Sequence, residues 1–113
     1  MDIPEEAVLL RIFIGENARY EHQPLFEAIV KKARETGMAG ATVVRGPLGY
    51  GQSSHLHTEN ILRLSDDLPI VIELVDSPDK IDKFAAIAGP MIGSGLITLQ
   101  NVRVLRYGSA AQA

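Results

Sequence analysis

The sequence predicts an α+β fold, an antiparallel sheet with two helices on one of its faces. Its 113 residues suit a single domain, without a linker or a tandem repeat. Branched apolar segments of strand length recur along the chain, and two segments with helical spacing lie between them. The predicted order is β-α-β-β-α-β, which is that of a ferredoxin-like plait. We expect residues 1–113 to form this domain and the small, polar tail 108–113 to be disordered.

The first strand and helix account for the first third of the chain. Ala7 to Ile14, AVLLRIFI, is rich in branched residues and predicts a mostly buried strand, interrupted only by Arg11. Residues 15–22 are polar and predict a connection. Pro24 suits a first helical position, where no N–H donor is needed, and Gly37 stands where a helix C-cap glycine belongs. Between them, apolar residues recur at helical spacing: Leu25, Phe26, Ile29, Val30 and Ala33.

The middle of the chain predicts two further strands with a long segment between them. Ala41 to Val44, ATVV, is a short strand that Gly46-Pro47 interrupts. A short apolar piece, Ile61 to Leu64, follows later. Ile70 to Val75, IVIELV, is the third strand of the plait.

The last part of the chain predicts the second helix and the final strand. Ser77-Pro78-Asp79 is a helix start, with Ser as the N-cap and Pro at the first helical position. Gly89-Pro90 should end or kink this helix, and Leu96 to Tyr107 alternates as a last strand. Apolar residues at helical spacing lie between: Ile81, Phe84, Ala85 and Ala88.

The first and third strands are apolar at nearly every position, whereas a strand with one solvated face should alternate. We therefore expect the sheet face without helices to be covered, by other copies of the chain or by a long loop. Glu73 in the third strand needs a partner if it is buried. Arg11 in the neighbouring strand is the candidate, and a Glu73 that faces solvent or a subunit interface is the alternative.

Composition and charge exclude several classes of function. The chain has no cysteine, so disulfides, thiolate metal sites and cysteine nucleophiles are excluded, and a reducing cytoplasm is expected. A net charge of −3 gives no overall attraction to nucleic acid or to anionic membranes. The acidic start and the Arg11 break predict neither a signal peptide nor a membrane span.

The segment GYGQSSHLHTE, Gly49 to Glu59, is consistent with a turn, a metal site or a mobile arm. His55 and His57 would point to one side of an extended segment and could begin a zinc or copper site, with Glu59 or His22 as a further ligand. Many such pairs are incidental surface residues. Ser53 or Ser54, a histidine and Asp66 or Asp67 could be assembled as a triad, but no strained nucleophile turn supports a hydrolase. The two aspartates are expected turn residues. We expect no enzyme.

Several motifs resemble those of the PII nitrogen-regulatory signal proteins. GMAGATVVRGPLGYG, HTE, LPIVIELVDSPDKID and, more loosely, GPMIGSGLITLQNVRVLRYG carry the likeness. Arg11 to Tyr107 as a whole resembles the PII-like domain-of-unknown-function family 190, through PLFEAIVKKARETGMAGATVVRG, HTENILRLSDDLPIVIELVD and GLITLQNVRV. This resemblance implies a homotrimer that binds a small effector, such as AMP, ADP or ATP, between subunits. It also implies that the loop Pro47 to Leu68 contacts a partner, for which a membrane transporter is one candidate.

The resemblance also implies a set of ligand-binding residues in the loop after the second strand, in the glycine loop before the last strand, and near the end of that strand. These are Arg45, Gly46, Gly49, Gly51, Gln52, Gly93, Ser94, Gly95, Arg103 and Arg106. Two departures count against ATP binding in the manner of the signal proteins. Leu96 stands where they present a lysine to phosphates, and Val104 replaces one of two arginines. A nucleotide with fewer phosphates, or another small anion, stays a candidate ligand.

Three functions are therefore kept open. The first is a PII-like signalling protein whose 47–68 loop responds to a ligand. The second is a metal-binding trimer that uses His55 and His57 and resembles the copper-tolerance proteins, which share the plait. The third is a ligand-free scaffolding oligomer in which the glycines only shape turns.

Overall fold

The computed structural model describes residues 3–51 and 67–108, and these form the expected plait. The elements are β1 (Glu6–Gly15), β2 (Arg19–Tyr20), β3 (Gln23–Pro24), α1 (Leu25–Glu35), β4 (Thr42–Arg45), β5 (Pro69–Asp76), α2 (Pro78–Ala88) and β6 (Leu96–Arg103). Four strands form an antiparallel sheet in the order β4-β5-β1-β6, and the two short strands β2 and β3 form a separate two-stranded sheet. No helix among these residues is long and apolar enough to cross a membrane.

The register of the sheet decides which segments meet. Gly15 at the end of β1 pairs with Pro69 at the start of β5. Phe13 pairs with Leu96 at the start of β6, and Arg45 at the end of β4 pairs with the residue after Pro69. The end of β1, the end of β4 and the starts of β5 and β6 therefore lie together. We call this edge of the sheet the loop end.

The hydrophobic core lies between the sheet and the helices. Alternate residues of β1 and β5 face it, because successive side chains of a strand point to opposite faces. The helices contribute the positions that the helical spacing predicted, with Ile29, Ile81 and Phe84 no more than 1% exposed. The remaining core residues are mainly Leu10, Ile12, Ile14, Leu25, Ile70, Ile72, Leu74 and Ala88.

The start of α1 differs from the sequence prediction, and its end agrees. Pro24 is the N-cap, with an extended ψ of 134°, because it pairs with Arg19 in a short hairpin that the sequence analysis missed. Glu21 and His22 form that hairpin's two-residue turn, with φ of 46° and 69°, as a type I′ turn requires. At the other end, Gly37 has a φ of 79°, as predicted for a C-cap glycine.

The second helix begins and ends as predicted. The Lys80 backbone N–H donates to Ser77 Oγ at 3.3 Å, which confirms Ser77 as the N-cap, and Pro78 is the first helical residue. The α-helix ends at Ala88, and Gly89–Met91 continues as one 3₁₀ turn.

The last strand is shorter than predicted. It ends at Arg103 rather than at Tyr107, because Arg103 pairs with Glu6, the first residue of β1, which is its neighbour in the sheet among the described residues. One further backbone bond, from Val104 N–H to Glu5 O at 2.7 Å, follows. A strand continues only where a neighbouring strand supplies backbone hydrogen bonds, and alternation in the sequence does not show where that neighbouring strand begins.

The sheet face without helices is largely apolar, as the composition of the central strands indicated. Its central positions are half-buried and include Leu9, Phe13, Val71 and Val75. Towards the edges, Val44 is 48% exposed and Leu96 is 56% exposed. On the two central strands the exception is the cross-strand pair Arg11 and Glu73, whose Nε and Oε2 atoms are 2.7 Å apart. We call this surface the open face.

Candidate ligand-binding cleft

A cleft of about 410 Å³ opens at the loop end of the sheet. It is bounded by the end of β1, by the chain that follows β4, by the start of β5 and by the glycine loop before β6. Its described lining residues are Phe13, Ile14, Gly15, Gly49, Tyr50, Gly51, Asp67, Pro69, Ser94, Gly95 and Leu96. The cleft therefore brings together four of the sequence-predicted site residues: Gly49, Gly51, Ser94 and Gly95.

The glycines allow the walls of the cleft to pack closely. A Cβ atom on Gly95 would lie 2.7 Å from the Phe13 carbonyl oxygen, so only glycine fits there without a shift. Gly46 does not itself line the cleft, but a Cβ on it would lie 2.8 Å from Cγ of the lining residue Pro69, and its N–H donates to the Pro69 carbonyl at 2.8 Å. Gly51 has open space around it and is exposed, so its role is not one of packing.

One wall of the cleft carries a carboxylate. The Asn17 backbone N–H donates to Asp67 Oδ1 at 3.0 Å, which ties the start of β5 to the chain that leaves β1. A Cβ on Gly15 would lie 2.6 Å from the same oxygen and 2.7 Å from Oδ2. The missing side chain of Gly15 thus provides the space in which the carboxylate of Asp67 lies.

Arg45 lies at the loop end but does not line the cleft. Its Nη2 is 3.2 Å from Glu16 Oε2, and its side chain is 60% exposed. A guanidinium at the surface can change rotamer at small cost, since an exposed ion pair contributes only about 0–1 kcal/mol. The ion pair with Glu16 therefore holds the Arg45 side chain only weakly.

The other two predicted arginines lie at the opposite end of β6. Arg103 Nε is 3.5 Å from Glu5 Oε2. Arg106 lines a separate, open hollow of about 330 Å³, together with Ile3, Glu5 and Tyr107. Along β6 the distance from Leu96 to Arg103 is about 24 Å, at roughly 3.4 Å per residue. Within one chain these arginines and the cleft are therefore not brought together.

The remaining predicted residues divide into two groups. Gly93 is described but does not line the cleft. Gln52, His55 and His57 lie outside the described residues, as do Ser53, Ser54, Glu59 and Asp66. Within residues 3–51 and 67–108, no group of three or more histidine and acidic side chains could hold a metal ion. His22, proposed as a further ligand, accepts a hydrogen bond from Arg19 Nη2 through its backbone oxygen at 2.9 Å.

Sequence reasoning missed the side chains that give the cleft its character: Phe13, Tyr50, Asp67, Pro69 and Leu96. A signal for four of them was available. In an antiparallel plait, the end of the first strand lies beside the starts of the third and the last, so residues at those three points must cluster. Tyr50 stands between two glycines in the sequence, which does not indicate whether its side chain faces the cleft.

Comparison with known proteins identifies the family. A family model described as DUF190, "Uncharacterized ACR, COG1993", matches residues 7–104. The chain belongs to the DUF190 family. A UPF0166 protein of Aquifex aeolicus is 38% identical over 98 residues, which cover 86% of this chain and 91% of that relative. The resemblance noted in the sequence is thereby confirmed.

Solved structures with the same fold are PII-like proteins. CPII of Thiomonas intermedia K12, bound to ADP, AMP and acetate, superposes with a TM-score of 0.63 at 19% identity, over 89% of this chain and 90% of CPII. A putative PII-like signaling protein of Thermus thermophilus gives 0.61 at 16% identity, over 92% and 93%. At such identities the likeness shows the fold alone.

Proposed function

We propose that this DUF190 protein is a PII-like regulatory protein, not an enzyme, that binds an adenine nucleotide in the cleft and reports its presence to a partner. The observation that carries this proposal is the meeting of two glycine-containing segments, Gly49 to Gly51 and Ser94-Gly95, at one cleft. The cleft volume of about 410 Å³ lies within the range of roughly 300–1,000 Å³ typical of small-molecule sites. The adenine nucleotides bound to CPII, a protein of the same fold, support the choice of ligand.

The two kinds of surface in the cleft suit the two ends of a nucleotide. Phe13, Pro69 and Leu96 offer apolar contacts for a flat base. Gly95 has no side chain, and the backbone at Ser94 and Gly95 can offer N–H groups to a phosphate. Because no lysine or arginine lines the described cleft, a ligand with few phosphates fits better than a triphosphate unless cations come from elsewhere.

A second copy of the chain is the proposed source of those cations. Arg103 and Arg106 are too far from the cleft of their own chain, at the opposite end of β6. If the open face is buried between copies, a head-to-tail arrangement can place these arginines at a neighbour's cleft. We propose a homotrimer, as the family resemblance implies, with one ligand in each cleft between subunits. The exposed Val44 and Leu96 on the open face support burial of this kind.

The regulatory output is proposed to be the loop 47–68. Both of its ends take part in the cleft, because Gly49 to Gly51 and Asp67 line it. A ligand that contacts both ends favours one arrangement of the loop over others, and so changes the surface that a partner meets. We propose a cytoplasmic setting and a regulated partner such as a membrane transport protein.

The test of the proposal is a thermal-shift screen of the purified protein with AMP, ADP, ATP, cyclic AMP, bicarbonate and zinc. A ligand that binds the folded state at about 100 times its Kd adds about 2.7 kcal/mol of stability. We expect one adenine nucleotide to raise the melting temperature and zinc to leave it unchanged. A shift with zinc alone, lost on replacing His55 and His57 by alanine, would favour the metal-binding alternative. No shift with any compound would reject the proposed function.

A complementation experiment tests whether the site is shared between copies. Ser94→Tyr should fill the cleft, and Arg106→Ala should remove the proposed cation, so each variant alone should lose nucleotide binding. Mixed oligomers contain interfaces at which an unchanged cleft of one subunit meets an unchanged Arg106 of its neighbour. We expect these interfaces to bind the nucleotide. Arg34→Ala, on the exposed surface of α1, is the matched control for the loss of an arginine. Failure of the mixture to regain binding would place the whole site within one chain.

A further inference from the structure

Among the described residues that line the cleft, Asp67 alone carries a charge. Its Oδ1 accepts a hydrogen bond from the Asn17 N–H at 3.0 Å. An ionised carboxylate offers about four acceptor positions on its two oxygens. The carboxylate can therefore accept further hydrogen bonds from a molecule in the cleft.

We infer that Asp67 receives neutral hydrogen-bond donors of the ligand, a sugar hydroxyl or an amino group, so that the nucleoside end of the ligand lies against this wall. The inference rests on the proposed function and specifies the orientation of the ligand. The phosphate end is directed away from Asp67, towards the glycine loop at Ser94 and Gly95.

The surroundings of Asp67 favour a donor over an anion. Phe13, Pro69 and Leu96 share the cleft with it, and apolar neighbours lower the local dielectric constant. A phosphate beside the carboxylate would meet strong like-charge repulsion there, whereas a hydroxyl or amino group would form a charge-assisted hydrogen bond. Arg45, which lies at this end of the sheet, pairs with Glu16 at 3.2 Å and not with Asp67.

The position of the carboxylate is fixed on both sides. The Asn17 N–H holds Oδ1, and the space left by Gly15 accommodates both oxygens, which lie within 2.7 Å of where a Cβ would be. A fixed acceptor selects for ligands whose donors fit its geometry, since little further ordering of the site is needed on binding. Asp67 thus has the features of a specificity-determining residue.

The decisive experiment is calorimetric titration of AMP into the wild-type protein, Asp67→Asn and Asp82→Asn. Asparagine keeps an oxygen for the Asn17 N–H, so Asp67→Asn removes the charge with little structural change. We expect it to weaken AMP binding about tenfold to a hundredfold, the usual range for a hydrogen bond to a charged group. Asp82→Asn, an exposed helix residue that removes the same charge far from the cleft, should bind as the wild type does.

The direction in which Asp67→Asn changes the affinity for AMP distinguishes the possible roles of Asp67. Tighter AMP binding by Asp67→Asn would mean that a phosphate lies against this wall. Unchanged binding would mean that Asp67 accepts a hydrogen bond from the Asn17 N–H but none from the ligand. Either result overturns the inference and leaves the proposed function standing. Absence of adenine-nucleotide binding by the wild type would reject both together.

Two analogues identify the donor. Inosine monophosphate lacks the amino group of AMP, and 2′-deoxy-AMP lacks one hydroxyl. The analogue without the donor should bind the wild type more weakly than AMP does, and this difference should vanish in Asp67→Asn. If both analogues keep their full penalty in the variant, neither the amino group nor the 2′-hydroxyl contacts Asp67.

Gly15→Ala provides an independent test that retains Asp67. The new Cβ would overlap the carboxylate and displace it, so we expect AMP binding to weaken as in Asp67→Asn. The melting temperature and circular dichroism of each variant without ligand show whether it is folded. A folded Gly15→Ala protein with wild-type affinity for AMP would contradict the inference.

Discussion

Arg11 and Glu73 face each other directly across the two central strands, and the Arg11 Nε lies 2.7 Å from Glu73 Oε2. The pair lies on the open face, between Thr42 of β4 and Thr98 of β6, with side chains 39% and 34% exposed. Arg11 Nη1 also donates to Gln100 Oε1 of β6 at 3.4 Å, so this contact joins three strands. The alternatives left by the sequence are thus both partly right, because Glu73 has its partner and still faces outwards.

The first prediction concerns this pair in an assembly. In a single chain a half-exposed ion pair contributes only about 0–1 kcal/mol, but a lone charge buried between subunits costs about 3–5 kcal/mol. We expect Glu73→Leu to dissociate the oligomer at concentrations where the wild type remains assembled. The double variant Arg11→Met/Glu73→Leu should reassociate, as sedimentation equilibrium would show. An unchanged oligomer in the single variant would mean that the open face is not the interface.

The second prediction concerns Asp76, which is fully buried. Its oxygens accept the backbone N–H groups of Ala39 at 2.9 Å and Ser77 at 2.8 Å, and Lys80 Nζ lies 3.5 Å away. Asp76→Ala removes the acceptor of both backbone N–H groups and the buried charge beside Lys80, and we expect a loss of about 3 kcal/mol or more in the free energy of unfolding. Urea denaturation measures the loss. Asp79→Ala, at an exposed position in the first turn of α2, should cost less than about 1 kcal/mol.

The third prediction compares two glycines of one loop. Gly95→Ala places a Cβ 2.7 Å from the Phe13 carbonyl oxygen and 3.0 Å from the side chains of Ile14 and Ile92. We expect it to lower the free energy of unfolding by about 1–3 kcal/mol, as overpacking does. Gly93→Ala meets nothing within 4 Å and should leave stability nearly unchanged. Equal stability of the two variants in denaturant melts would show that the loop adapts without cost.

The fourth prediction distinguishes the cost of a positive φ from the cost of steric overlap at the end of α1. The Gly37 N–H donates to Arg34 O and the Met38 N–H to Ala33 O, the bond pattern of a Schellman motif. Gly37→Ala should cost about 1 kcal/mol because its φ is 79°, although no atom lies within 4 Å of the new Cβ. Gly40→Ala, with equal space and no positive φ, is the control. A similar melting temperature for both variants would contradict the prediction.

Local features of the fold could be predicted because their causes are local. Helical spacing identified Leu25, Ile29 and Phe84 as core residues, and the Ser77-Pro78 pair identified a helix start. The β2–β3 hairpin was missed, since its turn residues Glu21 and His22 adopt positive φ without the glycine or asparagine that usually signals it.

The sequence by itself determined the four strands and two helices of the plait, their order and the apolar character of the central strands, because these follow from spacing, caps and composition. Only the tertiary structure decided which residues meet. The pairing of Phe13 with Leu96 and of Gly15 with Pro69 brings Asp67 into the cleft and leaves Arg103 and Arg106 at the far end of the sheet. The physical reason is register: contacts between residues far apart in the chain depend on how strands align, which local periodicity does not specify.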